Sequence, residues 1–292
     1  MTEAVTTDRI RKAVAAIKIE RPAYATLLDF YEVLFVAQEI TKKEFVSDPV
    51  EISQELISVK MKEGFPLVSV AEFPIPPDGP RHFLTTICRL VPRENALLSE
   101  AASRLSTAID EGTLDASALF SHLLQTDDVS LENMAGKVAV DKAVLAFFAY
   151  HSVRPFLLEC SEKLSGYLKG HALWEKGYCP VCGSVPALSI INEQGKRLLS
   201  CSVCGYEWVS PRLFCPFCEN KEQKSLHYFF SEEEKGYRVD LCDKCRKYIK
   251  TLDLREIKHP VYPFLEYVST LHLDMKAQEQ GLESGLPLWL QT

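Results

Sequence analysis

Four C-x-x-C pairs fall within sixty-seven residues of a 292-residue chain: Cys179/Cys182, Cys201/Cys204, Cys215/Cys218 and Cys242/Cys245. Two intervening residues let a tight turn aim both sulfurs at one ion while backbone amides donate to the thiolates, and a second such turn completes a tetrahedron. Gly183 and Gly205 directly follow their pairs, where a turn of this kind favours positive φ. The gaps between pairs are themselves patterned. Ala187 to Asn192 is an apolar run, Glu193 to Lys196 a turn, and Arg197 to Ser200 returns to the second pair. Leu226 to Phe230, the turn Ser231 to Gly236 and Tyr237 to Leu241 repeat the plan ahead of Cys242. The region therefore reads as a duplicated unit of pair, hairpin and pair. The natural ligand sets are Cys179, Cys182, Cys201, Cys204 and Cys215, Cys218, Cys242, Cys245. Joining the first pair to a later one would leave the hairpins closing nothing.

Ten cysteines would suit a disulfide scaffold in a secreted chain, but in a reducing compartment clustered pairs read as metal ligands. Residues Met1 to Glu20 carry Asp8, Arg9, Arg11 and Lys12 with no apolar core, unlike a secretory leader, and no apolar run reaches the roughly 18 residues of a membrane span. A cytoplasmic protein is expected. Thioredoxin-type redox chemistry needs one pair at a helix start beside a strand, not four on hairpins. Four soft thiolates suit zinc and also a single iron. Cys201 to Tyr206 looks like a rubredoxin knuckle, which zinc ribbons share, so iron or zinc stays open.

Upstream, helical periodicity dominates. Helices are expected over Thr7 to Lys18, from Pro22 to about Glu44, and over Glu51 to Lys62, Arg81 to Leu90, Glu94 to Glu111 and Ala116 to Leu124. Asp127-Asp128 reads as a helix cap. The longest helical stretch, about Lys137 to Gly166, should kink or break at Pro155, with Cys160 buried and inert on its apolar side. Pro66, Pro74, Pro76, Pro77 and Pro80 punctuate Phe65 to Phe73 into an extended segment, a strap over the chain's own core in preference to a partner-docking loop. A last helix, Pro263 to Gln280, should turn Phe264, Leu265, Val268, Leu271 and Met275 to one apolar face, ahead of a Leu288-Trp289-Leu290 tail.

The expected fold is α+β: a helical domain over 1–172, rubredoxin-like or zinc-ribbon metal units over 173–212 and 213–258, and a C-terminal helix and tail over 259–292. The net charge of −7 divides into −6 up to Gly170 and −1 beyond. Eight thiolates around two divalent ions would leave the metal region more negative still, which argues against phosphate-driven nucleic-acid binding. No G-x-S-x-G, P-loop or H-E-x-x-H motif is present, so an enzyme is not expected. His227 reads as a plain strand histidine; His82, His151 and His259 are assigned no role. Glu232 to Glu234 reads as a solvated turn.

Cys179-Pro180-Val181-Cys182-Gly183-Ser184 resembles the formate dehydrogenase accessory proteins of the FdhE type. Cys201 to Trp208, Cys215 to Glu219, Leu226-His227-Tyr228, Tyr248 to Leu252 and the segment from Pro263 to Leu288 carry the resemblance further. The Leu28 to Gln38 and Phe147 to Leu168 helices add weaker support. The resemblance implies a cytoplasmic factor needed for formate dehydrogenase activity. It would associate with the molybdenum-containing catalytic subunit and carry redox-sensitive iron at its cysteine motifs. One departure is Leu265-Glu266, where the family pattern has an acidic pair. Two other functions fit the cysteines: a rubredoxin-like electron carrier and a zinc-ribbon scaffold for protein interaction or for RNA or transcription machinery, the last disfavoured by charge.

Overall fold

The computed structural model describes residues 3–48, 50–170 and 173–287; the Leu288-Trp289-Leu290 tail lies outside them. The first half is a stack of helices: α1 (Glu3–Glu20), α2 (Ala25–Glu44), α3 (Gln54–Glu63), α4 (Asp78–Leu90), α5 (Ala96–Asp110), α6 (Ala116–Leu124), α7 (Asp128–Val138) and α8 (Lys142–Leu164). Starts are set by side-chain caps that occupy orphan amides: Ser53 for α3, Asn95 for α5, Asp115 for α6, Asp127 for α7 and Asp141 for α8. Pro22 opens a single 3-10 turn rather than the first turn of α2.

The long helical stretch differs from expectation in two ways. It divides before Lys142 into α7 and α8, because Ala139 takes a left-handed conformation that ends α7. Pro155 neither ends nor interrupts α8. A proline there strips the His151 carbonyl of its helical donor. The buried Gln38 amide supplies the missing hydrogen bond at 2.8 Å from α2, so the helix runs on.

The second half is one sheet. The first unit forms β1 (Pro186–Ile191), β2 (Arg197–Cys201) and β3 (Glu207–Ser210); the second forms β4 (Leu226–Phe230), β5 (Tyr237–Cys242) and β6 (Lys247–Asp253). Both are antiparallel, and they join through a parallel β1–β6 pairing in which Leu188 faces Lys250 and Ile190 faces Leu252. The strand order is β3-β2-β1-β6-β5-β4, with β7 (Glu283–Ser284) parallel to the start of β6. The architecture is mixed α+β, a helical N-terminal region followed by a sheet region holding two four-cysteine clusters.

The expected closing helix is two short ones, α9 (Pro263–Val268) and α10 (Leu271–Glu279). The break lies at buried Ser269 and Thr270, whose hydroxyls turn back to the Glu266 carbonyl at 3.2 and 2.7 Å. Such local bonds compete with the helical ladder. The break shifts the helical phase: Leu265 and Val268 are buried as expected, but Met275 is 62% exposed, and Leu273 and Ala277 face the sheet in its place. One core joins the helices to the first cysteine cluster, and a smaller one packs Leu188, Ile190, Val239 and Leu252 against α10.

A polar junction ties the halves together. Glu234, in the turn expected to be solvated, takes an ion pair from buried Arg21 at 2.7 Å and lies 2.7 Å from His272 Nε2. Beside it, His259 Nε2 lies 2.9 Å from Glu266 and its Nδ1 3.3 Å from Glu20, while the Tyr237 hydroxyl donates to Glu266 at 2.8 Å. An imidazole flanked by two carboxylates donates from both nitrogens only when protonated. Burial works against that charge, but the carboxylates prevail and hold the His259 pKa above its ordinary value. The stability it contributes is therefore full below the unfolded imidazole value, about pH 6.5, and is lost as pH rises through the higher folded value. His259→Gln should flatten the decline of the urea midpoint between about pH 6 and 8; an unchanged slope in the variant would remove this group from the linkage.

Candidate metal centres

Each cysteine pair sits on a tight turn, the first ahead of β1 and the others between strands, and all four turns share one backbone device. The residue after the pair is left-handed: Gly183 at φ +77° and Gly205 at φ +69° in the first unit, Glu219 at φ +57° and Arg246 at φ +58° in the second. The amide of that residue, or of the one before it, then closes back on the turn, as in Gly183 N to the Cys179 carbonyl at 2.9 Å and Arg246 N to the Cys242 carbonyl at 2.9 Å. Glycine adopts this conformation freely; a residue with a Cβ gives up about 1 kcal/mol or more.

The structure gathers the eight sulfurs into two sets, Cys179, Cys182, Cys201, Cys204 and Cys215, Cys218, Cys242, Cys245, each with its sulfurs within 4.8 Å of one another. The grouping of sulfurs is the one expected from the hairpins. Across the first set, Cys179 and Cys204 are 3.7 Å apart and Cys182 and Cys201 3.5 Å; across the second, Cys215 and Cys245 are 3.6 Å and Cys218 and Cys242 3.7 Å. Sulfurs about 2.3 Å from a central ion at tetrahedral angles stand about 3.8 Å apart, so each cage has the right span for one ion. Val203 and Cys204 amides point at Cys201 Sγ at 3.4 Å, and the buried Asn220 amide points at Cys242 Sγ at 3.6 Å. The donor set and geometry fit a tetrahedral ion with soft ligands.

Charge reinforces the reading. Burial pushes the Cys179 and Cys201 thiols well up, while hydrogen bonds from Cys179, Cys201 and Cys204 hold Cys182 well below the usual thiol range. A closed cage cannot ionise all its sulfurs unless a cation shares it. In the second set burial pushes Cys215 up. Cys242 is brought down to about 7, because amides of Cys245 and Lys244 and the Asn220 side chain outweigh burial. The remaining cysteines stand apart from both cages. Cys160 is buried, and its thiol is pushed up by burial to about 12; Cys88 is half-buried and pushed up to about 11.

The two cages differ in setting. The first lies in the core beneath the helices. The proline-rich segment packs Leu67, Val68 and Phe73 inward, with Phe65 exposed. Its Leu67 and Val68 amides donate to the Pro180 and Val181 carbonyls at 2.9 and 3.1 Å, so the strap holds the first turn. From α8 the Tyr150 hydroxyl donates to the Ser202 carbonyl at 2.8 Å and holds the second. One turn beyond Tyr150, fully buried Arg154 bonds Gln38 and lies 3.6 Å over the Phe264 ring. The second cage lies toward the surface, with Cys218 exposed and Cys245 half-buried. It borders a cavity of about 270 Å³ lined by Arg197, Arg212, Phe214, Arg238 and the Cys215 and Cys242 side of the cage. His227, on exposed β4, lies 2.9 Å from Asp243 and is not among the ligands.

Tyr150, Leu67, Val68 and Asn220 escaped the sequence reading. Asn220 could have been found two residues past Cys218. The strap contacts are made by backbone amides and leave no trace in residue type.

The fold and the cages define a class: a helical protein carrying a sheet with two four-cysteine sites able to hold metal ions. Residues 178–212, the first unit, match the family described as FdhE, central domain. A protein FdhE homolog of Aquifex aeolicus is 41% identical over 142 residues, covering 47% of this chain and 49% of that one. A protein FdhE homolog of Haemophilus influenzae is 30% identical over 181 residues, covering 58% of each. Protein FdhE of Escherichia coli is 28% identical over 176 residues, covering 56% of this chain and 55% of that one. The matched segments thus span about half the length of these curated relatives. The crystal structure of the FdhE protein from Pseudomonas aeruginosa superposes with a TM-score of 0.72 over 99% of this chain and 96% of that one at 21% identity, and shares the fold. The chain is thus similar to FdhE proteins in sequence over about half of its length, and to one of them in fold over nearly its whole length.

Where the chain enters the first cage it crosses the second. An added Cβ on Gly177 would stand 1.9 Å from the carbonyl oxygen of Pro216, in the Cys215/Cys218 turn. Overpacking against backbone costs about 1–3 kcal/mol. Gly177→Ala should lower the unfolding free energy by that amount and so lower the urea midpoint. Gly136→Ala, in open space within α7, should leave the unfolding free energy unchanged or raise it by up to about 1 kcal/mol. Equal midpoints for Gly177→Ala and the parent would contradict the close approach.

Proposed function

We propose that this chain is an accessory factor of formate dehydrogenase. It binds the molybdenum-containing catalytic subunit during maturation in the cytoplasm and is needed for that enzyme's activity without being an enzyme itself. The observation that carries the reading is the coincidence of the FdhE central-domain match with the first four-cysteine cage. In this reading Cys179, Cys182, Cys201 and Cys204 hold one ion and Cys215, Cys218, Cys242 and Cys245 a second, each iron or zinc. The ions supply folding energy, on the order of 10 kcal/mol for a structural four-ligand zinc site. The protein's residues do the rest. The strap and Tyr150 fix the first cage against the helices, and the second presents its turns at the surface with exposed Tyr228 and Phe230 on the neighbouring β4. The segments 1–172, 173–212, 213–258 and 259–292 serve in this proposal as the helical platform, the buried unit, the exposed unit and the clasp.

A second reading is supported by the exposure of Cys218: one-electron transfer by iron at the second cage. Reversible cycling between two iron states in the isolated protein would favour it.

Anaerobically purified protein should hold two metal equivalents by elemental analysis, and Cys179→Ser with Cys182→Ser should hold about one while the N-terminal helices persist. The catalytic subunit of a formate dehydrogenase should co-purify under the same conditions, more weakly when Cys201 and Cys204 are replaced by serine. A strain lacking the chain should make the enzyme in inactive form. Full formate dehydrogenase activity in that strain, with no subunit captured, overturns the proposal.

A further inference from the structure

The two cages differ in three independent respects, all in the same direction. The first is access. Cys179, Cys182, Cys201 and Cys204 are at most 4% exposed, whereas Cys218 is exposed, Cys245 is half-buried and a cavity of about 270 Å³ reaches Cys215 and Cys242. The second is anchorage. Both turns of the first cage are held from the helical half, by Leu67 and Val68 on one side and Tyr150 on the other. In the second cage, the Cys242/Cys245 turn is held by Ser225 through Asp243 N and by Glu283 N on the Arg246 carbonyl. The Cys215/Cys218 turn hydrogen-bonds within itself, through Cys215 N and Glu219 N, and to the segment that enters the first cage, through Gly177 N on Glu219 Oε1 at 3.2 Å. None of these contacts reaches the helices. The third is strain: the left-handed turn positions are glycines in the first cage but Glu219 and Arg246 in the second, a cost that metal ligation must offset.

We infer that the second cage is an exchangeable, peroxide-sensitive metal site and the first a permanent one, Cys218 being the thiolate at which oxidation begins. The inference rests on the reading that both cages hold metal. The step balances with a peroxide as oxidant. Cys218 Sγ attacks one peroxide oxygen, the S–O bond forms, the O–O bond breaks, and hydroxide leaves with the electron pair to become water on protonation. A second cage thiolate, Cys242 at 3.7 Å, attacks the resulting sulfenic sulfur. The S–S bond forms, the S–O bond breaks, and a second water leaves. Two thiolates give up two electrons, the peroxide takes them with two protons, and the ion, left with two of its four ligands, is released. The same access lets a chelator compete for the second ion alone. At the first cage a peroxide must reach sulfurs sealed beneath the strap and α8, which requires the core to open.

The test uses the full-length, metal-loaded protein. It is mixed with a chromogenic chelator, alone or with hydrogen peroxide, while released metal is followed with time. At intervals free thiols are alkylated, disulfides are then reduced and labelled with a second alkylating agent, and both labels are mapped by mass spectrometry. One equivalent should leave at least tenfold faster than the other. In the peroxide arm the label marking oxidation should appear at Cys218 and a cage partner before any of Cys179, Cys182, Cys201 or Cys204. Cys218→Ser should remove the fast equivalent and leave the slow one. Tyr150→Phe, which loses its hydrogen bond to Ser202, should speed the slow phase only. Release of both equivalents at one rate, or first oxidation within the buried cage, overturns the inference and leaves the metal reading standing. Protein isolated anaerobically without metal overturns the metal reading itself, and this inference with it.

Discussion

Four cysteine sulfurs in a dry core are the constraint on which the rest of this structure depends. Placed within 3.5 to 3.7 Å of their neighbours beneath helices, they cannot all carry the charge that ligation requires unless a cation is enclosed. Once one is, every group around the cage must keep its shape. The chain meets that demand with backbone rather than side-chain chemistry. The strap coils only as a single 3-10 turn, Val70–Glu72, and ahead of it the Leu67 and Val68 amides are free to donate to carbonyls of the Cys179/Cys182 turn. Tyr150 reaches the opposite turn from α8, its hydroxyl within electrostatic reach of both Arg154 and the Cys201 and Cys204 sulfurs. Burial pushes that hydroxyl's pKa up, so it stays a donor across the physiological range.

The second link between the halves is ionic. Arg21, at the bend between α1 and α2, lies 4.1 Å over the Tyr237 ring and pairs with Glu234 in the β4–β5 turn. His259 bridges Glu20 of α1 and buried Glu266 of α9. Buried charges of this kind add little net stability but are costly to break. Their effect is to fix where the second unit sits against the first two helices. The single acid at Leu265-Glu266 is thereby accounted for within this chain: Glu266 is buried and already answers His259 and Tyr237. Leu265, at the neighbouring position, packs in the core.

The pattern of cysteines, hairpins and caps was legible because it rests on short-range rules. C-x-x-C spacing names the turns, alternation between the pairs names the hairpins, and Asp127-Asp128 names the start of α7. What was not legible depends on partners distant in sequence. Pro155 reads as a helix breaker unless Gln38 is known to stand 2.8 Å from the freed carbonyl. The closing helix reads as one piece because its break comes from two hydroxyls, and with the break Met275 moves to solvent while Leu273 and Ala277 turn inward. Glu234 looks like surface acid until Arg21, more than two hundred residues earlier, is brought beside it. The sheet was half legible: hairpins follow from the sequence, but their fusion by parallel β1–β6 pairing does not, since parallel partners share no turn.

That fusion decides how far a change at one cage can travel. β6 leaves the Cys242/Cys245 turn directly and is paired on both sides, to β1 and β5, while β1 follows the Cys179/Cys182 turn. Arg197 of β2 donates to the Pro211 and Phe214 carbonyls at 3.2 and 2.7 Å, clamping the segment that leads into the second cage from the first unit. β4, by contrast, pairs on one side only and carries exposed Tyr228 and Phe230. Relaxation of the second cage would therefore fall on β4 and the two surface turns, which have the fewest bonds to lose. The β1–β6 seam and the buried cage, held from both layers, would stay. In the proposed reading, a surface whose shape follows one metal site, mounted on a sheet whose registry is kept by another, would supply the two-state element that a metal-dependent partner interaction requires.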